Sequence, residues 1–125
     1  MIQIDNVANS GNAIFKRDAS LRRLEYIYWC APVANQNLLA FSPLTLPNRF
    51  YTYSEQSNTF TSIVPSTTSF GASENQIAGK GFMIRAPNTF ADFPASPTVF
   101  HGQFNGVPNN GTYTTAISYS GGSRG

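Results

Sequence analysis

A chain of 125 residues, 41% apolar and 14% aromatic, carries enough hydrophobic side chain for one core, which excludes a disordered polymer. Only 11% of residues are charged, eight basic against six acidic for a net +2, too little to argue for a specific nucleic-acid partner. The single cysteine, Cys30, excludes an internal disulfide, and no run approaches the roughly 18 apolar residues of a membrane span.

Along the chain, period-two alternation recurs and helical period does not. Ile2-Gln3-Ile4-Asp5 opens on a strand-like alternation without the basic and apolar regions of a secretory leader, so an export signal is expected outside these residues. Lys16, Arg17, Arg22 and Arg23 then place half of the positive charge within eight residues. They form a candidate basic patch for an anionic glycan, lipopolysaccharide or nucleic acid. The competing reading is a solvated strand pair with a turn at Asp18-Ala19-Ser20. Leu24, Tyr26, Tyr28 and Cys30 share one face of the next strand and Glu25, Ile27 and Trp29 the other. Both faces are largely apolar, which predicts a central strand covered on both sides, with Cys30 inward and Trp29 buried between two sheets.

Asn35 to Phe41 is the one helical candidate, a single turn before Ser42-Pro43. Arg49 to Tyr53 and Thr59 to Val64 flank the polar Ser54–Asn58 stretch and read as an aromatic hairpin. Gly79-Lys80-Gly81 invites comparison with phosphate-binding loops and fails it. A P-loop needs glycine where Glu74 stands and Ser or Thr where Gly81 stands; a dinucleotide fingerprint needs glycine at Ile84 and a helix beyond. The next residues, Phe82 to Arg85, read as a short strand stopped by Pro87, with Lys80 expected to face solvent. Thr98 to Phe104 and Thr112 to Tyr119 are the remaining strands, separated by turn signals at Asn105-Gly106 and Asn110-Gly111. Eight prolines and ten glycines leave no room for a long helix. The fold class is all-β: an antiparallel, jelly-roll-like β-sandwich of about seven strands over residues 1–119, with 120–125 a flexible tail or linker.

Few polar groups converge for catalysis. His101, the lone histidine, sits mid-strand and reads as a surface or hydrogen-bonded imidazole. Zinc would need ligands from His101, Cys30 and dispersed acids, without ligand spacing. The acids Asp5, Asp18, Glu25, Glu55, Glu74 and Asp92 are spread singly, so no cofactor and no metal is expected. Structural calcium would have to rely on scattered backbone carbonyls, and no loop in the sequence supports it. The chain is expected not to be an enzyme.

A run of motifs resembles a known family. Arg23-Leu24-Glu25-Tyr26-Ile27-Tyr28-Trp29-Cys30-Ala31-Pro32-Val33, then Asn35-Gln36-Asn37-Leu38 and Phe41-Ser42-Pro43, is similar to a module of large secreted surface proteins of flavobacteria, in the Bacteroidota. The aromatic hairpin, the Gly-Lys-Gly-aromatic strand and the run from Phe100 to Gly111 continue it in order. The family pattern has serine where Cys30 and Ala31 stand, so no serine chemistry carries over. The resemblance implies export by the type IX secretion system, an extracellular or cell-surface location, and an internal segment whose partner is the rest of a longer chain.

Two functions compete. One is a structural or adhesive module that self-associates by strand addition. The other is a carbohydrate-binding module that stacks sugars on Tyr26, Tyr28, Trp29, Tyr51 and Tyr53, assisted by nearby Asn and Gln. A spacer should bury its rings; a glycan binder should expose them in a row. Tyr113 to Tyr119 alternates apolar and Thr side chains without charge, a candidate sticky edge. Light scattering across a concentration range should therefore show a dimer or filament that Ile117→Lys disperses; a strict monomer unaffected by the lysine would refute the edge.

Overall fold

The computed structural model describes residues 9–71 and 79–110. The expected strands at Ile2–Asp5 and Thr112–Tyr119, the completion of the Asn110-Gly111 turn and the tail lie outside the described residues. Within the described residues, eight strands, one α-helical turn and one 3-10 turn succeed one another: β1 (Ala13–Leu21), β2 (Tyr26–Trp29), β3 (Gln36–Asn37), α1 (Leu38–Phe41), a 3-10 turn (Pro47–Arg49), β4 (Phe50–Ser54), β5 (Thr59–Ser62), β6 (Ser69–Phe70), β7 (Phe82–Arg85) and β8 (Thr98–Gly106). Their pairings are antiparallel. They make a four-stranded sheet ordered β2-β7-β4-β5, a long β1-β8 ribbon and a short β3-β6 pair. The architecture is the all-β, sandwich-like one that the alternation predicts.

The core lies between the four-stranded sheet and the ribbon. Trp29 from β2, 2% exposed, meets Phe41 at 5.0 Å, Phe100 at 5.6 Å and Phe104 at 6.1 Å between ring centres. Phe41 stacks on Phe104 at 4.6 Å, while Phe70 meets Phe82 edge-on at 5.3 Å, so one aromatic network spans β2, α1, β6, β7 and β8. Edge-to-face and offset pairs of this kind add to the stabilisation that area burial alone provides. Gly102 makes room for it. A Cβ there would stand 2.9 Å from Arg17 O and 3.0 Å from the Trp29 ring, so the ribbon closes onto the indole only because β8 has no side chain at that point.

Local polar chemistry shapes the connections. Asn37 accepts the Ala40 N–H at 3.0 Å, capping α1, while its amide donates to Ser66 O at 3.0 Å and Thr68 O at 3.3 Å. One side chain thus starts the helical turn and ties it to the approach to β6. Buried Thr45 donates to Arg85 O at 2.8 Å, which leaves Ser42 as donor in its 2.8 Å pair with Thr45. That pair fastens the loop after α1 to the end of β7.

Several expectations need correction. β2 is an edge strand, not a central one: β7 alone pairs with it among the described residues, and Leu24, Tyr26 and Tyr28 are exposed. Trp29 is inward as expected, whereas Cys30 is exposed rather than inward. Its apolar neighbours covered a solvent-facing surface that composition could not distinguish from a buried one. Asp18-Ala19-Ser20 is no turn; it runs mid-strand in β1, paired with His101, Phe100 and Val99. Asn105-Gly106 likewise continues β8 instead of turning. Part of the helical candidate is strand, with Gln36–Asn37 in β3 and only Leu38–Phe41 helical. Lys80 is half-buried. Gly79 before it takes φ +95°, the left-handed region that glycine tolerates, so the Gly-Lys-Gly step is a bend feeding β7.

Replacing Trp29 by alanine should cost roughly 3–5 kcal/mol in denaturant unfolding, from lost transfer energy plus a cavity that the flanking rings cannot fill. In the intact protein its fluorescence should resist aqueous quenchers until the unfolding transition. Free quenching of the folded state would refute the burial.

Candidate functional site

The face of the four-stranded sheet that points away from the core carries the candidate site. Antiparallel register puts Tyr28, Met83, Tyr51 and Ser62 in one row across β2, β7, β4 and β5. The neighbouring positions hold Tyr26 opposite Arg85 and Tyr53 opposite Phe60. Alternation makes the sides distinct: Ile27, Ile84 and Phe50 lie on the core side, and their sequence neighbours face outward.

Tyr26, Tyr28, Tyr53 and Phe60 are between 38% and 55% exposed, and Tyr51 is half-buried among them. Tyr53 and Phe60 are 5.1 Å apart between ring centres, Phe60 and Tyr28 6.3 Å, and Tyr26 and Tyr51 6.0 Å. The rings are tilted against one another by 42–61°, forming a ridged shelf instead of a single plane. The Tyr28 ring lies beside Gly81, the residue that leads into β7.

Polar groups rim the shelf. Tyr53 donates its hydroxyl to Asn58 Oδ1 at the hairpin turn, where Asn58 adopts φ +52°. At the other end Arg49 Nη1 donates to Tyr51 Oη at 3.4 Å, and Tyr51 Oη donates to Asn48 O at 3.2 Å. Arg85 is 7% exposed and donates through Nη2 to Asn88 Oδ1 at 3.0 Å. The Nε atoms of both arginines are buried without a hydrogen-bond partner among the described residues. Burial pushes the Tyr26 phenol above its ordinary value and nearby Tyr51 adds to the rise, while Arg49 and Arg85 pull against it. Tyr26, Tyr51 and the two guanidiniums therefore form one electrostatic cluster. The hydrogen bond to Tyr51 in turn raises the pKa of Arg49.

The other expected residues are distributed differently. Trp29 is deep in the core and takes no part in the shelf. The four basic residues do not form one surface. Lys16 and Arg17 are strand neighbours on opposite faces of β1, and Arg17 lies over the Trp29 ring at 5.7 Å. Arg22 pairs with Glu25 at 3.2 Å and donates to Ala95 O at 2.8 Å; Arg23 reaches Asp92 at 3.4 Å. The Arg22 backbone N–H, 2.8 Å from Glu25, holds that carboxyl below its ordinary range. His101 is exposed, with Nδ1 2.8 Å from Asp18 Oδ1 across the ribbon, as expected of a hydrogen-bonded surface imidazole. Among the described residues no group of three or more His, Cys, Asp or Glu is placed to hold a metal. Cys30 borders a shallow hollow with Phe15 and Pro32, and partial desolvation there pushes its thiol up, although the residue as a whole is exposed. Phe60, Met83, Arg49 and Arg85 complete the shelf without having been singled out as site residues. The Tyr53–Phe60 pair could have been found by folding the hairpin between Gln56 and Ser57.

The family model of a domain of unknown function (DUF8693) matches residues 1–124. This chain belongs to that family. No curated protein and no solved structure matches the chain.

Because burial favours the neutral phenol, the folded-state pKa of Tyr26 lies above the unfolded value of 10.0. Its contribution to stability is whole below that value and is lost as pH rises through the folded pKa. Alkaline absorbance titration should show a late-ionising tyrosine that Tyr26→Phe removes. An unchanged late component in the variant would assign it elsewhere.

Proposed function

We propose that this chain is a non-enzymatic, carbohydrate-binding module of a secreted cell-surface protein, holding a glycan on its outward tyrosine shelf. The setting rests on the sequence resemblance: one module of a long surface chain, exported by the type IX route and sited outside the cell. The observation that carries the binding reading is the exposure of Tyr26, Tyr28, Tyr53 and Phe60 together on one sheet face. A spacer has no use for such a row. Its rings would serve stability better between the layers, where Trp29 and the core phenylalanines already lie.

The chemistry suits a sugar. Pyranose rings present C–H faces that pack on aromatic faces and hydroxyl edges that exchange hydrogen bonds with phenols and amides. The shelf offers the first along Tyr28 and Phe60 and the second at Tyr53, Asn58 and Ser62. The ligand lies across strands that fix the rings by register, so little has to be reorganised on binding.

A glycan array probed with the labelled chain tests this. At least one oligosaccharide class should be retained, and Tyr28→Ala and Tyr53→Ala should each weaken it about tenfold, equivalent to ~1.4 kcal/mol. Both variants should keep the unfolding midpoint, since the rings they remove are outside the core. No retained glycan, or retention untouched by either substitution, would overturn the proposal.

A further inference from the structure

Resting on that reading, we infer that the glycan is acidic and that its carboxylate or sulfate seats at Arg49, at the Tyr26–Tyr51 end of the shelf. Charge complementarity is what points there. Arg49 and Arg85 are on the same end of the same face, and neither has a carboxylate within salt-bridge distance among the described residues. The described acids are engaged or placed elsewhere: Asp18 with His101, Glu25 with Arg22, Asp92 with Arg23, and Glu55 at the turn beyond Tyr53. Arg22 and Arg23 each hold an acid, whereas the two arginines beneath the tyrosines hold none among the described residues.

The two arginines have different roles. Arg85 is 7% exposed and fixed by Asn88, so it supplies positive field from below and does not reach a ligand. Arg49 is half-buried, and a single 3.4 Å bond to Tyr51 is its one side-chain hydrogen bond among the described residues, leaving further N–H groups of its fork for an oxyanion. A guanidinium offers parallel donors that match a carboxylate or sulfate in a bidentate way, and partial desolvation beside Tyr26 and Tyr51 strengthens that attraction over its value in open water. Arg49 Nη1 and the Tyr51 hydroxyl chain leading to Asn48 O would orient the anion, while Tyr28, Tyr53 and Phe60 receive the sugars beyond it. The ordering matters chemically: a charge at one end and rings along the rest give the bound chain a direction.

The test compares three oligosaccharides of equal length by calorimetry: a neutral hexose oligomer, its hexuronate counterpart and its sulfated counterpart. One or both acidic oligomers should bind at least about tenfold tighter than the neutral one at low salt, and the gap should narrow as ionic strength rises. Arg49→Gln should erase the gap and Arg49→Lys should keep part of it, because lysine retains the charge without the fork. Tyr28→Ala should weaken all oligomers that bind, with the acidic preference intact. The uronate and sulfate arms separate the two sources of the anion. Neutral and acidic oligomers bound equally well, or a preference that survives Arg49→Gln, would overturn the acidic assignment while leaving the glycan shelf standing. If none of the three binds, both readings fall together.

Discussion

The insertion of Trp29 between the two layers governs both the core and the surface of this protein. A strand has period two, so driving one side chain inward fixes the direction of every neighbour on that strand. With the Trp29 indole against Phe41, Phe100 and Phe104, Ile27 points into the core and Tyr26 and Tyr28 must point away. The bare backbone at Gly102 lets the ribbon approach closely enough to close over the indole. The tyrosine shelf is therefore the obligatory reverse side of the packing that holds the sandwich together. A slip of one residue in β2 would expose the tryptophan and bury two phenols, an exchange that costs both apolar burial and hydrogen bonding.

The β4-β5 hairpin completes the shelf by the same logic. Phe50 is inward and paired with Ile84, which sends Tyr51 outward beside Met83 and places Tyr53 opposite Phe60. Asn58, in the left-handed region of the turn, sets that register and then receives the Tyr53 hydroxyl. Turn geometry and candidate ligand contacts thus share one residue. Tyr28 on the far strand reaches Phe60 at 6.3 Å, and Phe60 meets Tyr53 at 5.1 Å, so rings from three strands form a single surface.

Electrostatics divides the molecule in two. Around the start of the chain Arg22 is paired with Glu25 and Arg23 with Asp92, while His101 is hydrogen-bonded to Asp18 and Arg17 lies over the Trp29 ring. Exposed pairs of this kind contribute little to stability and leave little net field. Beneath the tyrosines the balance is different. Arg85 is enclosed with an amide partner and Arg49 shares one phenol, so positive charge is concentrated where the rings are. Of the run of four basic residues that catches the eye in the sequence, Arg22 and Arg23 are held by acids, whereas the two isolated arginines have no carboxylate partner among the described residues.

The amino-acid sequence by itself determined the class of the fold and most strand positions. Phe82–Arg85 comes directly from an apolar run closed by proline, the aromatic hairpin from its polar turn, and the burial of Trp29 from its place in the alternation. Those features are local, written in side-chain period and turn chemistry. It also offered Tyr26, Tyr28, Tyr51 and Tyr53, together with the core residue Trp29, as candidate site residues, from a surplus of aromatics over what one core face needs. What alternation lacks is a sign. Whether the Tyr26 and Tyr28 side of β2 faced core or water depended on β2 pairing at the sheet's edge and on which residue Gly102 could accommodate, both long-range facts. The same holds for the charges: Lys16 and Arg17 adjoin in sequence and part across a strand, while Arg49 and Arg85, 36 positions apart by their numbers, come to one end of one face because β4 and β7 pair. Only tertiary structure could decide which cations keep their field, because that depends on which acids fold beside them.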